Sequence, residues 1–312
     1  MSIQFKQHTV PTPYPAGPIH IYEFNIDDQL VLVDTGPPTQ EAKGYLKTNI
    51  DLSRLDYLLI THFHPDHYGL IQFIEQNSSA QILFSRLDGY LYEHYKKRES
   101  FFSEVLAEAG TPQSLIDRLK ETFGVLKISI PFVESFRALE DSESILNSIG
   151  VRYLSCPGHS QTDIIYLIGQ YAVTGDTLLT GIFQTPLLDL NLSSFNGRYR
   201  NYEHYCQSIS KLKSLEKYQI LPAHNVAIDT IDRRIAFYVE KVLDRAKQLT
   251  PLMDNRRSMF EIVRSLFPGI EKKPFSLYIK YSELFFLKDF IEQPELLERA
   301  LIENNIAVSL DF

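Results

Sequence analysis

Apolar residues recur along this chain at two different spacings, and the changes of spacing mark its elements. Residues 19–26 and 29–33 carry strand-like runs on either side of Asp27-Asp28, which predicts a β-hairpin. Ahead of them, residues 10–18 hold too many prolines for a helix or a central strand and read as an extended lead-in. Helical spacing follows over residues 39–48, then the short apolar run Tyr57-Leu58-Leu59-Ile60, then helical spacing again in Leu70, Ile71, Phe73 and Ile74. Residues 81–84 predict a further strand. From Arg86 to about Leu126 the spacing is helical and the composition rich in Tyr, Phe and Lys, which suits helix-packing surfaces. Strand-like runs return at 151–155, 164–168, 171–173 and 219–221, with Leu212 and Leu215 on a helix before the last of them. Beyond Asp229 the chain reads as helices at 232–249, 259–266, 282–291 and 294–303, then a short strand-like run at 306–310.

In both strand-rich halves a polar residue of metal-ligand type follows directly on a strand. The densest such stretch is Thr61-His62-Phe63-His64-Pro65-Asp66-His67-Tyr68-Gly69, which places four ligand side chains within six residues in the order H-x-H-x-D-H. Two residues apart on extended backbone, His62 and His64 project to the same side and can share one cation. Pro65 suits the first position of a helix, so Asp66 and His67 fall in its first turn and can face a second ion. Later strands run into Cys156-Pro157-Gly158-His159, Gly175-Asp176-Thr177 and Pro222-Ala223-His224. Asp34, in Asp-Thr-Gly at a strand end, reads as a supporting residue that bonds neighbouring backbone. Histidine and carboxylate without cysteine are the ligands of catalytic rather than structural zinc.

Composition narrows the setting. At 312 residues and 44% hydrophobic, the chain can bury a large core, alone or with a small appendage. It has no apolar run of membrane-spanning length, and its start lacks the layout of a secretion signal, so we expect a cytoplasmic protein with no membrane partner. Two cysteines make no disulfide framework, and Cys156 reads as a small buried thiol. A net charge of −8 argues against a strongly basic nucleic-acid surface.

On these motifs, over residues 19–225, the chain resembles the metallo-β-lactamase-fold hydrolases. The resemblance implies an α/β fold, a four-layer αβ/βα sandwich with metals at one edge, and a small C-terminal helical extension. It implies that His62, His64 and His159 hold one metal, that Asp66, His67 and His224 hold the other, and that Asp176 bridges them. The remaining histidines, His8, His20, His94 and His204, read as structural or surface residues. We expect a hydrolase domain over residues 1–229, with a helical excursion at about 86–128 that could form a lid. Residues 230–312 form the tail, which resembles the small helical or winged-helix-like domain of a glyoxalase II-like and thioesterase-like branch that also has ribonuclease-like members.

Two divalent ions, zinc first and iron or manganese as alternatives, would share a hydroxide available near neutral pH, with Asp66 as catalytic proton shuttle. The substrate is expected to be a small molecule cut at an ester or thioester, because Leu178-Leu179-Thr180-Gly181-Ile182-Phe183 is largely apolar. Leu179 stands where lactone-cleaving relatives place a tyrosine, a role Tyr199 or Tyr202 could fill from the loop. Arg198 and Arg200 read as solvated or as contacts for an anionic substrate. A metal-dependent nuclease or phosphodiesterase, and a metal-bearing ligand-binding or regulatory protein with little turnover, are the alternatives.

Overall fold

A computed structural model of the protein describes residues 3–128, 133–228, 230–253 and 256–308. The first half opens with β1 (Ile3–Val10), which pairs along its whole length with β2 (Ile19–Ile26). β2 turns at Asp27, where φ is 52°, into β3 (Gln29–Val33), giving the expected hairpin. Thr39 caps α1 (Gln40–Asn49) by accepting from the Ala42 amide at 3.1 Å. β4 (Leu55–Leu59), α2 (Pro65–Tyr68), α3 (Ile71–Asn77) and β5 (Gln81–Phe84) follow. The excursion comprises α4 (Arg86–Glu93), α5 (Tyr95–Glu108) and α6 (Gln113–Ile128). β6 (Arg137–Ala138) completes a six-stranded sheet in the order β1-β2-β3-β4-β5-β6, antiparallel as far as β3 and parallel beyond it.

After α7 (Glu143–Ser148), the second half supplies β7 (Val151–Ser155), β8 (Ile164–Ile168), β9 (Tyr171–Gly175), α8 (Asn201–Lys213) and β10 (Gln219–Pro222). The four strands form a second sheet in the order β10-β9-β8-β7, with β10 parallel to β9. The tail is α9 (Ile231–Leu249), α10 (Met259–Leu266), α11 (Pro274–Glu292) and α12 (Pro294–Glu303).

Side-chain alternation sets the layers. Phe24, Val31, Val33, Leu59 and Leu83 of the first sheet meet Ile164, Tyr166, Ile168 and Val173 of the second in one sandwiched core. The opposite face of the first sheet, with Leu30, Leu32 and Leu58, is covered by α1 and α3 through Leu46, Ile71 and Ile74. On the outside of the second sheet, Ile165, Leu167 and Ala172 share a core with α8, the excursion and the tail. The result is the expected four-layer αβ/βα sandwich, with a helical C-terminal region laid against one outer layer.

Three expectations change. Ile3–Val10 is a strand although its sequence gave no such sign, because pairing with β2 rather than an apolar face fixes it. α11 starts at Pro274, well before the expected residue 282, with proline at its first position and buried side chains on more than one side. Residues 306–308 are not a strand, and the rest of the run expected to 310 lies outside the described residues.

Candidate metal centre

The seven expected ligands meet at one edge of the sandwich, on segments that leave the ends of β4, β7, β9 and β10. His62 and His64 follow β4 in extended backbone, and Pro65 starts the single turn that carries buried Asp66 and His67. His64 Nδ1 lies 2.9 Å from His62 Nε2 and 2.9 Å from His159 Nε2. Asp176 Oδ2 is 3.6 Å from His159 Nε2, whereas its Oδ1 is 3.4 Å from His67 Nε2 and 3.5 Å from His224 Nε2. Asp66 Oδ2 is 3.4 Å from His224 Nε2. The donor atoms fall into two groups, His62, His64, His159 and Asp176, and Asp66, His67 and His224, each with its atoms within 4.8 Å of one another. The two oxygens of Asp176 therefore face different groups.

Outward hydrogen bonds fix the rings. His67 Nδ1 donates to Asp34 Oδ2 at 2.8 Å, His159 Nδ1 to the Thr185 carbonyl at 2.8 Å, and His224 Nδ1 to the Pro18 carbonyl at 2.9 Å. Each bond holds an N–H outward and turns Nε2 toward the cluster. Asp34 also accepts from the amide and hydroxyl of Thr61, both at 2.8 Å. It supports the site as expected, but its partners lie on another strand end rather than in neighbouring backbone. Its own φ of 63° belongs to the left-handed region that aspartate tolerates better than most residues. Gly175 holds φ at 51° and has Thr61 Oγ1 only 2.9 Å from where a Cβ would stand, so only glycine lets β9 deliver Asp176 here.

Burial and the neighbouring imidazoles push His62 well below its ordinary pKa and His64 down to about 3, so both rings are neutral and carry lone pairs. Burial alone would raise Asp66 and Asp176, yet the histidines beside them, His67 foremost, keep both carboxyls below the usual range. His67 is itself held well above its ordinary value, because Asp176, Asp34 and Asp66 outweigh its burial. At the centre, His67 Nε2, His224 Nε2 and Asp176 Oδ1 are buried and have no hydrogen-bond partner. A polar atom buried in that state costs about 1–3 kcal/mol, and these are the atoms a divalent cation would engage. Imidazole nitrogens and carboxylate oxygens in two adjacent groups fit a pair of such ions.

A profile of the metallo-beta-lactamase superfamily matches residues 14–247, which takes in every one of these side chains. The chain belongs to that superfamily. Within it, a probable metallo-hydrolase, YqjP of Bacillus subtilis, is 25% identical over 301 residues, which cover 92% of this chain and 91% of that one. A beta-lactamase-like protein 2 homolog of Caenorhabditis elegans is 22% identical over 78% of this chain and 68% of its own length. Among solved structures, a metallo-beta-lactamase family protein from Thermus thermophilus superposes with a TM-score of 0.71 at 21% identity, covering 91% of this chain and 93% of that one. Superfamily membership implies divalent metals and a metallo-hydrolase, in agreement with the donor set above.

Around the superfamily site, several expected residues have other partners. Arg198 is neither solvated nor free for substrate: it pairs with buried Asp289 of α11 through two bonds of 2.7 and 2.6 Å, and Arg200 reaches the same carboxylate at 3.3 Å. Tyr199 stacks on His204 of α8, and the Tyr202 hydroxyl is taken up by the tail, donating to the Gln293 carbonyl at 2.8 Å. Cys156 is a buried thiol pushed up to about 12 by burial. His8 bonds Glu23, His20 lies against Thr9 and the Asn225 carbonyl, and His94 packs on Phe195. Among the described residues no helix is long and apolar enough to cross a membrane.

Proposed function

We propose that the protein is a dinuclear metal-dependent hydrolase that cleaves an ester or thioester bond of a small acyl substrate. His62, His64 and His159 hold one ion, Asp66, His67 and His224 hold the other, and Asp176 serves both. Zinc suits these ligands, and iron or manganese can occupy them according to supply. Bound there, the ions supply Lewis-acid polarisation of the scissile carbonyl and a water nucleophile near pH 7.

The chain's own residues do the rest. Asp34, Thr185 and Pro18 orient three imidazoles, so the ligand geometry is set before substrate arrives. Asp66 stands beside His224 at the edge of the second group, where its carboxylate takes the proton of the attacking water and returns it to the leaving atom.

The observation that carries the acyl reading is the character of the segment after Asp176. Leu178 and Leu179 are buried apolar side chains, and Phe183 stacks on Tyr238 at 4.7 Å. The cations beside that segment are engaged elsewhere: Arg245 lies 3.7 Å over the Phe183 ring and pairs with Glu283 at 2.8 Å, and Arg234 lies 5.7 Å over the Phe237 ring. From residue 230 onward, thirteen acidic residues balance thirteen basic ones, which does not favour a phosphodiester reading.

The test pairs elemental analysis with a hydrolysis panel of acyl thioesters, lactones, a chromogenic β-lactam and a phosphodiester on the same preparation. About two metal equivalents with selective acyl cleavage is the expected result. Metal-loaded protein that cleaves only the phosphodiester overturns the acyl assignment. Protein that stays metal-free and inactive in added zinc, manganese or iron overturns the whole reading. For the proton shuttle, Asp66→Asn should lower turnover more than metal content, and equal losses count against the role.

A further inference from the structure

His159 is the one ligand of the first group held by a segment outside the sheets. That segment, residues 177–200, runs from Asp176 to the start of α8. His159 Nδ1 donates to its Thr185 carbonyl at 2.8 Å, and the Leu187 amide donates back to the His159 carbonyl at 2.9 Å. Between Asp176 and the start of α8 the strap has no helix or strand of its own that could fix those two contacts. Its ends are held from the sheet side, where Asn225 donates to the Thr180 carbonyl at 2.7 Å and Gln161 donates to the Leu190 carbonyl at 2.7 Å and accepts from the Leu192 amide at 3.0 Å, and its middle is held by the helices behind. Tyr238 of α9 donates its hydroxyl to the Gln184 carbonyl at 2.9 Å, and Tyr278 of α11 donates to the Leu188 carbonyl at 2.8 Å. Ser282 of α11 accepts from the Leu188 amide at 3.0 Å. Further along, Asp289 of α11 binds Arg198, and Arg98 of α5 binds Asp189 with bonds of 2.9 and 2.8 Å.

The residues gripped by the tail thus bracket the two that grip His159. We propose that the C-terminal helices act as a clamp for the metal centre, with Tyr238 and Tyr278 as positioning residues that set the His159 imidazole through the strap and so govern the affinity of the first metal group. The inference rests on the two-metal reading of the cluster. Tyr238 is fully packed among aromatic rings and Tyr278 is likewise buried, and burial raises both phenols far above neutrality, so each remains a donor at any working pH. A hydroxyl lost at either position frees a strap carbonyl on one side of the His159 contact while leaving the ring that packs the core. The second group has no such dependence, because His67 and His224 are oriented by Asp34 and by Pro18, both in the first sheet's half of the molecule.

The test is stepwise cobalt(II) binding to the full-length protein, followed by visible absorbance against a competing chelator. The two steps are assigned with His159→Ala and His224→Ala, each of which should remove one. In the variant carrying Tyr238→Phe and Tyr278→Phe, the step lost in His159→Ala should weaken about tenfold, the low end of what loss of a ligand's direct partner causes, with the other step unchanged. Thr111→Val is the control: it deletes a 2.6 Å bond between the Thr111 and Tyr281 hydroxyls that ties α11 to the excursion without touching the strap. It should alter thermal stability and leave both steps in place. Equal weakening of both steps, no weakening, or the same loss in Thr111→Val overturns the clamp. If the double variant does not fold, Tyr238→Phe alone is measured against the same criteria. Wild-type protein that binds fewer than two ions removes the underlying two-metal reading, a result distinct from a wild type with two steps that the variants leave alone.

Discussion

Replacing Arg198 by alanine separates an ion pair from a substrate contact. The guanidinium makes two charge-assisted bonds, 2.7 and 2.6 Å, to a carboxylate of Asp289 whose side chain is 1% exposed, while that of Arg198 is 16% exposed. Opposite unit charges at this separation attract by about 6 kcal/mol at an effective dielectric of 20. Removing one partner of a buried pair leaves the other charge uncompensated, at a typical cost of about 3–5 kcal/mol. Arg200, 3.3 Å from the same carboxylate, retains part of the attraction. Arg198→Ala should therefore lose about 2–4 kcal/mol. In a chain of 312 residues that lowers the melting temperature by about 3–6 °C. Arg198→Lys should recover only part of the loss, since an ammonium cannot match both oxygens at once. Asp289→Ala should cost less than Arg198→Ala, because the two arginines it releases can turn toward water. Thermal and urea unfolding on the same preparations give the numbers. A change within about 0.5 kcal/mol, as for a solvated surface residue, refutes the ion-pair account, and unchanged stability with a raised KM would make Arg198 a substrate contact instead.

The remaining predictions concern glycine and a buried acid. Gly175→Ala should cost the about 1–2 kcal/mol of a left-handed alanine and more for the contact with Thr61, whereas Gly181→Ala, at φ 74° with open space around it, should cost the backbone part alone; equal losses in urea unfolding would refute the close approach. Asp88 is buried in α4, accepts from the Thr162 hydroxyl at 2.7 Å and leaves Oδ2 without a partner, and burial raises its carboxyl well above the ordinary value. A folded-state pKa above the unfolded one stabilises below the unfolded value and loses that contribution as pH rises toward the folded one. Asp88→Asn should therefore gain melting temperature relative to wild type at pH 8, with the gain vanishing near pH 4. A gain independent of pH would show that the carboxyl does not carry a raised pKa.

The ligands on contiguous backbone were the most legible part of the site. His62, His64, Asp66 and His67 lie on one strand end and one helical turn, where spacing alone fixes the side on which each projects. Sheet composition was equally readable for β8 and β9, whose apolar runs are buried along nearly their whole length. β1 was not, because an edge strand reading Gln4, Lys6 and Gln7 between apolar positions owes its shape to a partner strand. Nor was Asp289, separated from Arg198 by 91 residues and sitting among the side chains of a helix that is buried on several sides. The strap contacts left no trace at all, since the acceptors at Gln184, Thr185 and Leu188 are main-chain carbonyls that any residue would present.

His224 donates to the carbonyl of Pro18, 206 residues earlier in the chain, and the Ala223 carbonyl accepts from the His20 amide. The last ligand is therefore oriented by a segment synthesised some two hundred residues earlier. Contacts of such long sequence separation close late in folding, after local helices and hairpins have formed. Metal uptake during refolding would then report completion of the whole sandwich, and a chain halted before β10 could form much of the first sheet and still lack a functional second group of ligands.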